Sequence, residues 1–142
     1  MFTFPVADKK RNFMDAHAYL AKAQTYYEKV GEANFRKLID DFYSNLSEDP
    51  LLRDMYPKNL EPAKERLYLF IVQYFGGPQD YAKKRGHPRL RMRHARFPVT
   101  EEARQHWMNH MDKALENNPM DDEAREFLRS YFAYTAEFLK NR

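Results

Sequence analysis

Gly86-His87-Pro88-Arg89-Leu90-Arg91-Met92-Arg93-His94-Ala95-Arg96-Phe97 is the stretch on which the reading of this chain turns. It sets His94 among arginines with apolar residues between them, and no acidic residue occurs from Tyr81 to Phe97. Such a run admits two chemistries. A histidine held this way can bind a metal while the arginines hold acidic groups of the same ligand. The same run can equally serve as a basic patch for nucleic acid. If the segment is helical, His94 lies on the same side as Leu90, four residues earlier. The Leu90 carbonyl can then accept the Nδ1 proton and leave Nε2 free to bind iron. A solitary histidine is also an ordinary surface or core residue, and the run alone does not choose.

The rest of the composition narrows the field. A chain of 142 residues suits one domain with a real core. Its formal charge is only +3, so the basic stretch is local, whereas nucleic-acid binding usually spreads a basic face over the whole domain. With no cysteine, disulfides, cysteine zinc sites, iron–sulfur clusters and Cys-x-x-Cys-His haem attachment are excluded. Any haem is then held non-covalently. No apolar run is long enough to cross a bilayer, and Met1–Lys10 lacks a signal-peptide core, so a cytoplasmic protein with no membrane partner is expected. Aromatics make up 15% of a chain whose mean hydropathy is -0.89. A polar surface therefore wraps large flat side chains, which suits either a pocket for a flat ligand or ordinary packing.

Working outward from the run, the punctuation is helical nearly throughout. Phe13, Ala16, Leu20, Ala23 and Tyr27 recur at helical spacing and end near Gly31. From Ala33 to Leu46 the residues Phe35, Leu38, Ile39, Phe42, Tyr43 and Leu46 share one broad face. Asp49-Pro50 reads as an N-cap with proline in the first turn of a short helix that Pro57 closes. An apolar helix runs from about Glu61 to Phe75 and stops at Gly76-Gly77-Pro78. Thr100 caps the next helix, with Glu101 and Glu102 at its positive end. Asn118-Pro119 is expected to start the last, with Ala124, Phe127, Leu128, Tyr131, Thr135 and Phe138 facing inward. Nothing alternates with a period of two, so the fold class is all-α.

A flat ligand bound by His94 needs an opposite wall. On the 61–75 helix, Ala63, Leu67, Phe70 and Ile71 form one stripe in which a small residue leads larger ones. That is what a pocket above a metal requires, and also what an ordinary core stripe looks like. Arg66 lies beside the stripe, able to reach a carboxylate. Tyr43 and Trp107 sit among apolar neighbours and carry donors that want partners when buried. Of the remaining histidines, His106 and His110 have the i, i+4 spacing that zinc sites use, but no third ligand stands at a motif distance.

Together, Phe42-Tyr43, Tyr56-Pro57, Tyr74-Phe75-Gly76-Gly77-Pro78, the Gly86–His94 run and Trp107 resemble the truncated haemoglobins, specifically their second group. The resemblance covers roughly Val30 to Leu115. It implies a globin-like, two-over-two helical sandwich around haem b, with a truncated globin domain over 31–142 and a partly helical N-terminal extension over 1–30. It makes His94 the proximal iron ligand and Tyr43, Tyr56 and Trp107 the polar distal residues. Ala63 stands where larger globins carry a distal histidine, with Leu67 one turn on. Phe70 and Leu90 belong to the haem environment. Arg66 and Arg93 match residues that hold haem propionates, with Tyr81 a weaker candidate.

Two distal donors imply slow release of O₂, which makes a poor carrier. The expected chemistry is ligand capture or redox work on nitric oxide or peroxide, fed by an unidentified electron donor. The alternative is a non-catalytic O₂-binding or sensing globin. No nucleic acid is expected as a partner, and a homodimer stays open.

Overall fold

The structure, a computed structural model, describes residues 13–142. The first twelve residues of the expected 1–30 extension lie outside the described residues, as does the side chain of Phe13. Among the described residues there are nine helices and no strand. They are α1 Phe13–Ala23, α2 Tyr26–Val30, α3 Glu32–Ser47, α4 Pro50–Arg53, α5 Glu61–Tyr74, α6 Asp80–Arg85, α7 Leu90–His94, α8 Glu101–Glu116 and α9 Asp122–Leu139. The four long helices form the two-over-two sandwich: α3 packs on α5 and on α8, and α8 packs on α9.

The apolar face of α3 is buried as its spacing requires, with Phe35, Leu38, Ile39, Phe42, Tyr43 and Leu46 all in the core. Capping sets several helix starts. Asp49 accepts from the Leu51 and Leu52 amides at the head of α4, and Thr100 accepts from Ala103 N at the head of α8.

Two boundaries differ from the sequence expectation. The helical stripe from Phe13 to Tyr27 is broken at Gln24-Thr25, where Tyr27 N donates to the Phe75 carbonyl at 2.9 Å instead of continuing the helix. This tertiary bond ties the start of α2 to the end of α5. Gly76, with φ 99°, approaches so closely that a Cβ there would collide with the Gln24 carbonyl, and one at Gly77 would strike the Tyr27 ring. The Gly-Gly pair therefore serves close packing as well as termination. The last helix begins at Asp122 with Asp121 as its cap, four residues after Asn118. Asn118 instead turns inward, donating to the Asn34 carbonyl at 2.8 Å and accepting from Met120 N. Arg125 closes that turn by donating to the carbonyls of Leu115, Asn118 and Met120.

Tyr26 and Val30 of α2 are buried. Tyr26 also donates to Glu123 of α9 at 2.6 Å and packs between Phe75 and Phe127. No described helix is long and apolar enough to cross a membrane.

Candidate functional site

A cavity of about 700 Å³ opens between α5, α7, α8 and α9. That volume lies within the roughly 300–1,000 Å³ usual for cofactor sites. Every site residue singled out from the sequence borders it: His94, Leu90, Arg93, Arg66, Tyr81, Ala63, Leu67, Phe70, Tyr43, Tyr56 and Trp107. Residues drawn from positions 43 to 107 thus meet at one place. Sequence reading missed several further lining residues, among them Met55, Arg85, Arg96, Phe132 and Leu139.

One wall is α7, and its five residues are placed by their ends. Arg89 adopts a left-handed conformation (φ 48°), and its amide donates to His87 Nδ1 at 3.1 Å. The reversal after Gly86-His87-Pro88 thereby aims the following turn at the cavity. His94 is half-buried, with Nδ1 2.7 Å from the Leu90 carbonyl. A carbonyl can only accept, so Nδ1 carries the proton and Nε2 keeps its lone pair. From the far end of the chain, Asn141 Nδ2 donates to the carbonyls of His94 at 3.1 Å and Phe97 at 3.0 Å. Its Oδ1 accepts from Val99 N. No sequence signal marks this clamp, because its partners lie more than forty residues away.

The opposite wall is the α5 stripe. Ala63, Phe70 and Ile71 are buried, and Leu67 is half-buried. Tyr81 meets Phe70 edge to face at 5.5 Å. Arg66 is half-buried at the rim, with no carboxylate in ion-pair reach among the described residues. Arg93 spends two of its donors on backbone, Nε to Pro88 O at 2.7 Å and one terminal nitrogen to Arg85 O at 3.4 Å. Its other terminal nitrogen makes neither bond.

The polar end of the cavity is built by three aromatic residues. Trp107 is wedged between Phe42 and Phe132, at ring separations of 4.9 and 5.9 Å. Tyr43 stands edge to face with Tyr56 at 6.0 Å. Burial pushes the Tyr56 phenol's pKa up, while hydrogen bonds from Trp107 and Tyr43 and the charge of Arg66 pull it back. Burial likewise raises the pKa of Tyr43. The Tyr43 hydroxyl donates to the Ala63 carbonyl at 3.3 Å.

His106 and His110 find a shared partner that sequence spacing did not reveal. Both hydrogen-bond to Asp49 Oδ2, at 2.8 and 2.6 Å. The Asp49 side chain is 7% exposed. Burial pushes its pKa up, but His110, His106 and the Leu52 amide outweigh that and hold it at about 2. Among the described residues no group of three such side chains is arranged to hold a metal ion. The pair braces α8 against α4 through Asp49.

The model of the bacterial-like globin family matches residues 25–141. Among curated proteins, the chain is 36% identical over 116 residues to the group 2 truncated hemoglobin YjbI of Bacillus subtilis, spanning 82% of this chain and 88% of that one. Among solved structures, the hemoglobin of the thermophilic phototroph Chloroflexus aurantiacus superposes with a TM-score of 0.81 at 47% identity, covering 83% of this chain and 98% of that one. The thermostable hemoglobin of Thermobifida fusca gives 0.80 at 43%, covering 82% and 97%.

Proposed function

Because this chain belongs to the bacterial-like globins, a haem-binding and O₂-binding family, we propose that its 700 Å³ cavity is built for slow ligand release and redox chemistry rather than O₂ transport. Haem held there supplies reversible coordination of O₂ and related diatomic ligands, together with one-electron redox chemistry. The residues fit such a group. One histidine nitrogen is freed by the Leu90 carbonyl, an apolar stripe faces it, and cations stand at the rim.

His94 would hold the haem iron through Nε2. Leu90 fixes the tautomer, and Asn141 holds the backbone around the histidine. Arg66 and Arg93, with Tyr81 nearby, line the cavity and would hold the haem carboxylates. Ala63, Leu67 and Phe70 shape the wall across from His94, and the small Ala63 leaves room for a ligand.

The observation that carries the reading is the set of polar donors at one end of a largely apolar cavity, where Tyr43, Tyr56 and Trp107 all line it beside Ala63. Tyr43 turns its hydroxyl to the Ala63 carbonyl at 3.3 Å, which leaves the Tyr56 hydroxyl and the Trp107 indole N–H to meet a ligand that gains negative charge. Each such hydrogen bond contributes roughly 1–1.5 kcal/mol net, and more in a dry site, so a supported donor slows release about tenfold or beyond. A binder that lets go so slowly transports poorly. The arrangement suits oxidation of nitric oxide by O₂, or peroxide reduction in which the same donors polarise the O–O bond.

The test is turnover. Ferrous protein loaded with O₂ is mixed with nitric oxide under a steady supply of reductant. Repeated consumption of nitric oxide with formation of nitrate supports the enzyme. Tight binding with a single turnover at most supports instead a non-catalytic O₂-binding or sensing globin.

A further inference from the structure

The charge of this protein is divided unevenly. Of 24 lysines and arginines, seven fall between Lys83 and Arg96, leaving 17 against 21 acidic residues in the rest of the chain. The basic segment is thus +7 and everything else −4. Lys83, Lys84, Arg85, Arg89, Arg91 and Arg96 are all exposed. Elsewhere many cations are paired locally, as in Lys37–Asp41, Arg104–Glu101, Arg125–Asp122 and Arg129–Asp112. Among the described residues, no cation from Lys83 to Arg96 has a carboxylate in ion-pair reach.

Two carboxylates from a haem neutralise at most two of these charges, so a surplus stays on the surface. The collar borders the cavity, since Arg85, Arg93 and Arg96 line it. Among the described residues it also holds two of the three large exposed apolar side chains, Met92 at 60% and Phe97 at 39% exposure, both bordering the cavity. An apolar centre with a basic rim beside the cofactor has the make-up of a small, transient docking face. The net negative remainder of the molecule speaks against a wrapped nucleic-acid backbone.

We propose that this collar docks an acidic one-electron donor protein of the iron–sulfur or flavin class. The proposal rests on the redox reading above, which consumes reducing equivalents. In the step, the docked donor loses one electron and ferric haem at His94 gains it, with no atom transferred. Complementary charge speeds the encounter, and the small apolar centre lets the spent donor leave.

A plant-type [2Fe–2S] ferredoxin, which is acidic, is the probe. Its reduced form is mixed with the ferric holoprotein in a stopped-flow instrument, and binding of its oxidised form is read by calorimetry. The second-order rate should fall about tenfold or more between ~20 and ~300 mM salt, as screening of an electrostatic encounter requires. The double variant Lys83→Glu/Lys84→Glu should cut both rate and binding at least fivefold at low salt. Its haem spectrum, and its reduction by neutral photoreduced deazariboflavin, should be unchanged. The control Lys37→Glu/Lys113→Glu, away from the collar, should leave the ferredoxin rate within twofold of the parent.

A salt-independent rate, or one indifferent to the collar reversal, would overturn the docking face. So would salt-dependent binding of duplex DNA tighter than that of ferredoxin. A protein that consumes no nitric oxide with either donor overturns the redox reading instead, while the binding and reduction measurements still judge the collar.

Discussion

Asn141 holds the carbonyl of His94 at 3.1 Å, joining two residues 47 positions apart. The same amide reaches the carbonyl of Phe97 and accepts from Val99 N. The C-terminus thereby fixes the loop that follows the histidine. Asn141→Ala removes these side-chain bonds and should cost about 2 kcal/mol. Because the loss falls beside the cofactor, haem transfer to excess apomyoglobin should speed up severalfold. An unchanged transfer rate would mean that the clamp plays no part in holding His94.

Tyr56 is the residue whose behaviour the distal site predicts most sharply. Trp107→Phe removes an N–H donor at the polar end of the cavity, so O₂ release should quicken about five- to tenfold. Tyr56→Phe should quicken it by at least as much. Tyr43→Phe should have the smallest effect, because the Tyr43 hydroxyl donates to the Ala63 carbonyl. Stopped-flow dissociation from the ferrous protein reads all three. Equal rates for parent and Trp107→Phe would remove the indole donor from the account.

Asp49 predicts an acid limb of stability. Its folded pKa of about 2 lies below the ordinary carboxyl value of 3.8. A depressed carboxylate stabilises the fold above the unfolded value and loses that contribution as pH falls from about 4 towards 2. Glu101, also held at about 2 by Arg104, titrates in the same window. The Asp49 share is therefore read by difference. Asp49→Ala should lose about 2 kcal/mol at neutral pH through the missing cap and the orphaned histidines, and its melting temperature should fall less steeply below pH 4. Parallel melting curves for parent and variant would contradict this.

Gly76→Ala should destabilise by about 2 kcal/mol or more, since φ is 99° and the new methyl meets the Gln24 backbone. Gly31→Ala carries the φ strain alone, with open space around the added carbon, and should cost less. Urea unfolding of the two variants separates backbone strain from collision. Equal losses would mean that the close approach to Gln24 contributes nothing.

Much of this molecule is legible in its sequence because local signals agree with one another. The six apolar residues of α3, the caps Asp49 and Thr100, and the stop at Gly76-Gly77 each follow from spacing or turn chemistry. The Leu90–His94 bond follows from four-residue spacing, although the helix that makes it is only five residues long. What was not legible depends on partners distant in the chain. The break at Gln24-Thr25 exists because Tyr27 N finds Phe75 O. Asn118 looked like a helix cap, but its amide serves Asn34. Asp49 lies 57 and 61 residues from the histidines it joins, so the His106/His110 spacing, which has no third ligand at a motif distance, gives no sign of the brace that the fold makes. Tyr43 and Trp107 read as independent donors to a ligand. Their placement beside Tyr56, which stands edge to face with Tyr43 at 6.0 Å, brings a third polar aromatic side chain to the same end of the cavity.

The central claim is that His94 Nε2, freed by the Leu90 carbonyl, ligates haem iron in this cavity. The most direct measurement is the ferrous absorption spectrum of haem-reconstituted parent and His94→Gly proteins, with and without imidazole. The parent should show the Soret band of five-coordinate, histidine-ligated haem. His94→Gly should lose that band, and added imidazole should restore it by filling the space left by the ring. A His94→Gly protein that keeps the parent's ferrous spectrum without imidazole would contradict the account.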